Sequence, residues 1–168
     1  VLGIKSIHAF LGGSMGSMQV LQWLAVYPDY AEKFIAYVPT PQSSVYDLLY
    51  WTIQEHAITS GMANNIPPAE YMKGVNLLTQ MKARTPDYLV NNVSHSRLDT
   101  IIMNAYRNPD TVFTPANHLA QMRAMEKHDI YRYTEAGKIY GYAKEKLFLI
   151  ISRYDHILHP EPAMKLGR

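Results

Sequence analysis

A serine flanked by glycines marks the part of this sequence best suited to covalent chemistry. Residues 12–16 read Gly-Gly-Ser-Met-Gly, so Ser14 is the centre of a G-x-S-x-G pattern, with an apolar run before it and a helical pattern after it. A strand, a sharp turn and a helix in this order form a nucleophile elbow, whose glycines avoid collisions with neighbouring backbone. We expect the Ser14 hydroxyl to be a nucleophile and the backbone N–H of Met15 to stabilise an oxyanion.

A serine nucleophile needs a histidine to take its proton and a carboxylate to orient that histidine. Asp155 follows the apolar run 147–151, at the carboxyl end of a predicted parallel strand, where functional groups collect. For this kind of elbow the chain order is Ser, then Asp, then His. Only His156 and His159 follow Asp155, and both are too close to it to reach Ser14 from a separate loop. We therefore expect the catalytic histidine to lie beyond Arg168.

The other histidines suit structural roles. His8 precedes the elbow on the predicted strand, and we expect it to be a hydrogen-bonded core residue. The remaining four fall on predicted helices or loops, where contact with a ligand is the less favoured interpretation: His56, His95, His118 and His128. Asp155 with His156 and His159 could be read as a metal cluster, but no further ligand cluster accompanies them, so we predict no metal site.

The elbow requires a parallel sheet to hold it. Residues 4–11 and 34–38 have the pattern of buried strands, separated by a helical stretch over residues 15–27 that Pro28 ends. Residues 45–140 carry helical patterns and no convincing strand before the strand at 147–151. We predict an α/β fold with a partial core of residues 1–44 and 141–168. Residues 45–140 would be a helical lid inserted over the carboxyl ends of the strands, where Ser14 lies.

Prolines and threonines divide the insertion into helices. The pair Pro67-Pro68 begins a stretch that runs to Arg84, and Thr85-Pro86 supplies an N-cap and a first-turn proline for the next helix. The run Asn108-Pro109-Asp110 ends another helix, and Thr114-Pro115 begins the helix that runs to residue 128.

Composition excludes several classes of protein. The chain has 168 residues, 16 basic and 14 acidic residues and a net charge of +2, without a basic cluster, so we expect no nucleic-acid partner. It has no cysteine, which excludes disulfides and thiolate metal sites and fits the reducing cytoplasm. No apolar run approaches the ~20 residues that cross a bilayer. Because it begins with Val1 and its first segment already resembles the middle of a fold, we expect an internal fragment.

The residues around the elbow resemble the homoserine O-acetyltransferases of the α/β-hydrolase superfamily. Residues 12–19 read Gly-Gly-Ser-Met-Gly-Ser-Met-Gln, and Leu21-Gln22-Trp23 and Tyr27-Pro28-Asp29 follow. The family typically shows G-G-S-M-G-G-M-Q-A-L-E-W and then Y-P-D. A looser similarity extends over residues 2–4, 54–58, 116–117, 123–126 and 155–160.

The resemblance implies an α/β-hydrolase-type parallel sheet with a nucleophile elbow and an inserted helical lid. It also implies transfer of an acetyl group from acetyl-CoA to the γ-hydroxyl of L-homoserine, on the route to methionine. Ser14 would carry the acetyl group through a ping-pong cycle, and Asp155 would orient the histidine. Acetyl-CoA would be a substrate rather than a permanently bound cofactor. A cytoplasmic homodimer formed through the lid helices is implied too, while the residues that contact the substrates stay unassigned.

Two other interpretations remain open. An esterase or a different acyltransferase could use the same serine chemistry, because changes in the lid alone can change the acceptor on a shared fold. A truncated chain without activity could instead use its helical region for binding or dimerisation. The missing histidine supports that alternative and leads us to expect negligible turnover from these 168 residues alone.

Overall fold

Three parallel strands carry the elbow. The computed structural model describes residues 3–107 and 113–168. Strands β1 (Ile7–Gly13), β2 (Ala31–Tyr37) and β3 (Leu147–Ile150) lie in the order β1-β2-β3, and both pairs are parallel. The predicted α/β architecture is confirmed. Strand β1 begins later than the sequence predicted and continues to Gly13, because the glycines of the elbow still pair with β2, up to Gly13 opposite Tyr37.

Helices make up most of the remaining described residues. They are α1 (Met15–Val26), α2 (Val45–Ala63), α3 (Pro68–Lys82), α4 (Pro86–Asn92), α5 (Leu98–Tyr106), α6 (Pro115–Glu126), α7 (Ala136–Lys146) and α8 (Glu161–Leu166). Short 3₁₀ turns span His95–Arg97 and Ile130–Arg132. Over the described ranges, none of these helices is both long enough and apolar enough to cross a bilayer.

The chain divides into two compact units, and the first is the α/β unit. It comprises residues 1–44, 127–154 and 158–168, and so contains all three strands together with α1, α7 and α8. Its core forms where α1 and α7 cover one face of the sheet, with Leu21, Leu24 and Phe34 fully buried. The register places Phe10 of β1 opposite Phe34 of β2, so both rings reach this core.

The second unit is helical. It comprises residues 45–126 and 155–157; α2 packs against α3 and α6, and α3 packs against α5. Trp51, Ile58 and Met122 are buried in it. Residues 127–140, which the sequence analysis assigned to the lid, group with the first unit because α7 and the turn Ile130–Arg132 pack on α1. The division into a hydrolase core and a lid stays a proposal.

Two of the predicted helix starts have the expected caps. The Tyr88 N–H donates to Thr85 Oγ1 over 3.0 Å, and the Asn117 N–H donates to Thr114 Oγ1 over 3.2 Å. Each bond satisfies one of the donors that the first turn of a helix leaves without a partner. The predicted helix end at residues 108–110 lies outside the described residues.

Candidate functional site

Ser14 occupies the sharp turn between β1 and α1. Its backbone has φ 51° and ψ −120°, a conformation that residues with a side chain rarely adopt. Its N–H donates to the Tyr37 carbonyl over 3.1 Å, and its own carbonyl accepts bonds from the Ser17 N–H over 2.9 Å and the Ser17 hydroxyl over 2.5 Å. These bonds hold the strained turn, which costs about 1–3 kcal/mol and is typical of functional sites.

The glycines before Ser14 allow this close packing. A Cβ on Gly12 would overlap the carbonyl group of Gly16, and a Cβ on Gly13 would overlap the ring of Tyr37. The same collision was expected for Gly16 itself, but a Cβ there would meet no described atom within 4 Å. The expectation is therefore right for the glycine before the serine and wrong for the glycine after it, because Gly16 faces open space and Gly12 faces the backbone of α1.

A second strained residue lies beside the elbow. Val38, which follows β2, has φ 44°, although a β-branched side chain strongly disfavours that region. Its N–H donates to the Ile150 carbonyl over 2.8 Å, which ties the end of β2 to the end of β3. Of the three non-glycine residues with positive φ among the described residues, Ser14 and Val38 lie at the carboxyl ends of neighbouring strands and Asn65 follows α2. The carboxyl ends of the strands are the edge at which parallel sheets usually place their ligands. No residue pattern around Val38 predicts its positive φ.

Met15 is the first residue of α1, directly after Ser14. The first N–H groups of a helix have no acceptor within the helix, and the helix dipole favours negative charge there. The first turn of α1 contains no acidic residue that would compete for this position. These features suit the oxyanion role predicted for the Met15 N–H, which stays a proposal.

Asp155 follows β3 and groups with the helical unit, whereas Ser14 and Met15 belong to the α/β unit. The carboxylate is half-buried, and its Oδ1 accepts a hydrogen bond from the Ile157 N–H over 2.8 Å. This bond fixes the carboxylate in a turn. Its assignment as the acidic member of a triad with Ser14 is taken up under the proposed function.

A buried lysine was missed by the sequence analysis. Lys82, the last residue of α3, is 6% exposed, and its Nζ lies 3.9 Å from the ring centroid of Tyr46 and 4.2 Å from that of Tyr50. Burial lowers the pKa of Lys82, and attraction to Asp47 and then Asp155 partly opposes this change. A lysine in the last turn of a helix usually indicates a solvated partner of the helix dipole, so its pattern carried no sign of burial.

Tyr50 links this lysine to a hydrogen-bonded network in the helical unit. The Tyr50 hydroxyl lies 3.0 Å from Thr79 Oγ1, and the Thr79 hydroxyl also donates to the Val75 carbonyl over 3.0 Å. Burial raises the pKa of Tyr50, and its hydrogen bonds with the side chains of Thr79 and Gln54 oppose that rise. His118 Nε2 lies 3.0 Å from Gln54 Oε1, and burial lowers the pKa of His118, so a neutral imidazole donates to the Gln54 carbonyl oxygen.

The prediction for His8 is right about its hydrogen bond and wrong about its burial. Its side chain is exposed rather than in the core, and its Nδ1 lies 2.8 Å from Glu32 Oε2. The neighbouring strand β2 supplies a carboxylate near the beginning of the sheet, so the imidazole has a partner at the surface. His128 of the same unit is half-buried, and its Nε2 lies 3.0 Å from the Thr40 carbonyl oxygen.

No group of three or more His, Cys, Asp or Glu side chains is arranged to hold a metal ion within residues 3–107 and 113–168. Of the proposed cluster, Asp155 accepts the Ile157 N–H, and His159 Nδ1 lies 3.3 Å from the Glu161 backbone N–H. These contacts are those of local turns.

Comparison with known proteins identifies the family. The sequence profile of the alpha/beta hydrolase fold matches residues 2–166, which is nearly the whole chain. This chain belongs to the alpha/beta hydrolase fold family. The strained elbow of Ser14 after β1 and the parallel order of the strands agree with that membership.

Among its relatives are homoserine O-acetyltransferases and a hydrolase. The enzyme of Methanosalsum zhilinae is 48% identical over 59 residues, which cover 35% of this chain and 12% of that protein. The enzyme of Chloroherpeton thalassium is 25% identical over 176 residues, covering 95% of this chain and 46% of that protein. The ethyl acetate hydrolase of Pseudomonas veronii is 38% identical over 61 residues, covering 36% of this chain and 18% of the hydrolase.

Solved structures share the fold. The homoserine O-acetyltransferase of Bacillus anthracis superposes with a TM-score of 0.82 at 20% identity, over 98% of this chain and 50% of that chain. An acetyl esterase, MekB, superposes with a TM-score of 0.80 at 21% identity, over 98% of this chain and 51% of that chain. This chain thus spans no more than about half the length of the proteins compared with it.

Proposed function

We propose that this chain carries the nucleophile of a serine acyltransferase that moves an acetyl group from acetyl-CoA to the hydroxyl of L-homoserine, on the route to methionine. The strained backbone of Ser14 is the observation that carries the proposal, because the turn presents the serine at the end of a strand and directly before a helix. The 48% identity with the Methanosalsum zhilinae homoserine O-acetyltransferase over 59 residues supports homoserine as the acceptor.

The reaction proceeds in two balanced steps. Ser14 Oγ attacks the thioester carbonyl of acetyl-CoA while a histidine takes its proton; the C–S bond breaks, the CoA sulfur receives that proton, and an acetyl ester remains on Ser14. The hydroxyl of homoserine then attacks the ester, the histidine moves its proton to Ser14 Oγ, and O-acetylhomoserine leaves. The Met15 N–H stabilises the oxyanion formed in each step.

We assign Asp155 to orienting that histidine, and we place the histidine beyond Arg168. The Ile157 N–H donates to Asp155 Oδ1 and holds the carboxylate in the turn after β3, and a triad carboxylate orients the histidine by accepting its N–H. The position of Asp155 after β3 follows the chain order of the family's triad. Acetyl-CoA is a substrate in this scheme, and no permanently bound cofactor takes part. A cytoplasmic location fits a biosynthetic role.

Hydrolysis of an acetyl ester is the second candidate. The similarity to the ethyl acetate hydrolase and to the acetyl esterase structure favours it, because the same acetyl-Ser14 intermediate would form and water would replace homoserine as the acceptor. The two candidates therefore differ in the second step only.

Intact-mass spectrometry tests the shared first step. The longest gene product that contains these residues, incubated with acetyl-CoA and no homoserine, should gain about 42 Da, the mass of one acetyl group. Peptide mapping should place the adduct on Ser14, and Ser14→Ala should remove it, whereas Ser6→Ala on the approach to β1 should keep it. An adduct that survives Ser14→Ala would refute the proposal.

Release of CoA then identifies the acceptor. Parallel assays with homoserine, serine and water should show release that depends on homoserine, and Ser14→Ala should lower the rate by on the order of 10⁴-fold or more. Release with water alone would favour the hydrolase. These 168 residues by themselves should give negligible turnover; measurable CoA release from them would contradict the proposed position of the histidine.

We also propose a homodimer formed through the helical unit. An apolar groove of about 710 Å³ lies among α3, α4 and α5, and Met81, Val90 and Leu98 on its wall are more than half exposed. Exposed apolar patches of this kind usually mark an interaction site, and the resemblance to the homoserine O-acetyltransferases implies a second copy of the chain as the occupant. In light scattering, Val90→Asp should convert dimers to monomers and Val45→Asp, outside the groove, should not; a monomeric wild type would refute the dimer.

A further inference from the structure

A short strap begins at the last residue of β2 and ends shortly before the chain leaves the α/β unit. We define this strap as residues 37–42, which include Pro39 and Pro41. Because proline has no N–H, the strap cannot continue the regular hydrogen-bond ladder of β2. Thr40, between the two prolines, is nevertheless fully buried. The strap must therefore be held largely through its carbonyl groups, by donors from other parts of the unit.

One peptide group at the beginning of the strap connects the ends of the three strands. Its carbonyl, from Tyr37, accepts from the Ser14 N–H over 3.1 Å, and its N–H, from Val38, donates to the Ile150 carbonyl over 2.8 Å. The group is planar, and its orientation depends on the φ of Val38, which is strained at 44°. If Val38 relaxed to a negative φ, the peptide group would rotate and the acceptor of the Ser14 N–H would move.

Residues 128–131, which follow the return of the chain from the helical unit, hold the other end of the strap. The Ile130 N–H donates to the Pro41 carbonyl over 3.0 Å, and His128 Nε2 lies 3.0 Å from the Thr40 carbonyl oxygen. Since a carbonyl oxygen can only accept, His128 Nε2 carries the proton and is the donor. The strap is thus fixed by residues that are distant in the sequence.

Asp129 binds the last residue of the strap with one oxygen and its own segment with the other. Its Oδ2 accepts from Gln42 Nε2 and its Oδ1 accepts from the Tyr131 N–H, each over 2.9 Å. Gln42 and Asp129 also form an isolated antiparallel bridge. The carboxylate therefore joins the strap to the turn Ile130–Arg132, which packs on α1, the helix that follows Ser14.

We propose that His128 and Asp129 are positioning residues for Ser14. Through the strap they keep Val38 at positive φ, and this keeps the Tyr37 carbonyl at the Ser14 N–H. The inference rests on the role proposed for Ser14 as the nucleophile. A displacement of about 1 Å can lower a reaction rate by roughly 10²-fold even when its cause lies away from the reacting atoms. Loss of the strap should therefore slow acetylation without changing the binding of acetyl-CoA.

Amide hydrogen exchange of the longest gene product that contains these residues tests the coupling. His128→Leu removes the donor to the Thr40 carbonyl and should make the Ser14 amide exchange roughly tenfold faster. His128→Gln should restore slow exchange, because its Nε2 can donate to the same carbonyl. The Ile7 amide, which bonds to the Tyr30 carbonyl near the beginning of β1, should keep its rate.

The control for this substitution is His8→Leu, at the exposed histidine of the same unit, and it should leave the Ser14 amide unchanged. If His128→Leu accelerates Ser14 and Ile7 equally, the unit as a whole has loosened and the inference is overturned. Unchanged exchange at Ser14 would overturn it as well.

An exchange of partners tests Asp129. Asp129→Asn leaves one oxygen for two donors, and Gln42→Glu places a carboxylate against the Asp129 carboxylate, so each single change disrupts the pairing. The double variant Gln42→Glu/Asp129→Asn reverses the direction of the hydrogen bond and should restore slow exchange at Ser14. Because this bond is exposed, the test does not depend on the folding of His128→Leu. No recovery in the double variant would overturn the role of Asp129.

Val38→Gly tests the part played by backbone strain. Glycine adopts a positive φ without a steric cost, so the strap is no longer needed to hold residue 38. In this background, His128→Leu should change the exchange of Ser14 by less than about twofold. A full effect of His128→Leu in the presence of Val38→Gly would show that the strap does not act through Val38.

Acetylation of Ser14 provides the readout in catalysis. In single turnovers with saturating acetyl-CoA, His128→Leu should lower the rate constant for formation of the acetyl adduct by at least roughly tenfold. The concentration of acetyl-CoA that gives half the maximal rate should stay the same, and His128→Gln should recover the rate. A merely structural role would reduce the amount of adduct and leave its rate constant unchanged, and this outcome would overturn the inference.

The two proposals fail in different ways. A wild-type protein that forms no acetyl adduct on Ser14 refutes the proposed function and, with it, the catalytic meaning of the strap. A wild-type protein that forms the adduct, while His128→Leu leaves the exchange of the Ser14 amide unchanged, refutes only the positioning role.

Discussion

Each compact unit contains one residue held in an unfavourable state, and the interactions that stabilise this residue differ between the two units. In the α/β unit the cost lies in the backbone of Ser14, and the bonds that hold it come from Ser17, three residues away, and from the adjacent strand. In the helical unit the cost lies in the side chain of Lys82, and the groups that compensate it come from the distant positions Asp47 and Asp155. The first arrangement is local, whereas the second exists only in the folded chain.

The two tryptophans allow the units to be followed separately. Trp23 lies on α1 of the α/β unit and Trp51 lies on α2 of the helical unit, and the chain contains no other tryptophan. Trp51→Phe therefore leaves a reporter of the first unit, and Trp23→Phe leaves a reporter of the second. Urea unfolding followed by fluorescence in these backgrounds measures the predictions below.

The largest effect is expected for Lys82→Met. The fully buried Asp47 would lose the cation that attracts it, and the free energy of unfolding reported by Trp51 should fall by roughly 3 kcal/mol or more. Lys73→Met, which removes a surface ion pair with Glu70, should cost less than about 1 kcal/mol. Equal losses of stability for the two lysine variants would contradict the proposed stabilisation of buried Asp47 by Lys82.

Gly12→Ala should have the next largest effect, on the α/β unit. Its Cβ would overlap the Gly16 carbonyl, so the elbow must shift, and the unfolding free energy reported by Trp23 should fall by about 2 kcal/mol. Gly141→Ala, in the middle of α7 with open space around its Cβ, should instead stabilise the same unit by up to about 1 kcal/mol. A neutral Gly12→Ala would show that the elbow tolerates a side chain there.

Acid should weaken both units through a half-buried histidine in each. Burial lowers the pKa of His128 in the first unit, against the opposing effects of the Thr40 carbonyl and Asp129, and lowers the pKa of His118 in the second. Below pH 6.5, the ordinary pKa of histidine, each of these imidazoles is protonated to a greater extent in the unfolded chain than in the native protein. The free energy of unfolding therefore falls as the pH decreases from 6.5 towards the native pKa.

His128→Gln should remove this acid dependence from the Trp23 signal, and His118→Gln should remove it from the Trp51 signal. Retention of the full dependence in both variants would show that other groups cause it.

The smallest effect tests a local feature of the helical unit. Thr85→Ala removes the acceptor for the Tyr88 N–H and should lower the stability of that unit by about 1 kcal/mol. Ser94→Ala, at a 3₁₀ turn where the side chain does not cap, should change it by less than about 0.5 kcal/mol. A Thr85→Ala effect as small as that of Ser94→Ala would show that the Thr85 cap does not stabilise this helix.

Patterns that depend on neighbouring residues were predictable. The G-x-S-x-G elbow, the threonine caps and the parallel strands depend on contacts within a few residues or on a short apolar run, and the structure contains them. Patterns that depend on packing were not. His8 was expected in the core and is exposed, because its position on the sheet decides its surroundings, and residues 127–140 pack with the first unit although their helical pattern matches the insertion.

The fold class, the position of the strained serine and the starts of two helices were predictable from the residues alone, because local backbone sterics and hydrogen bonds set these features. The tertiary structure alone decided which polar groups are buried. Lys82 has the sequence context of a surface lysine, and only the packing of α2 against α3 encloses its ammonium between two tyrosine rings. Burial depends on residues distant in the chain, and no window of neighbouring residues records it.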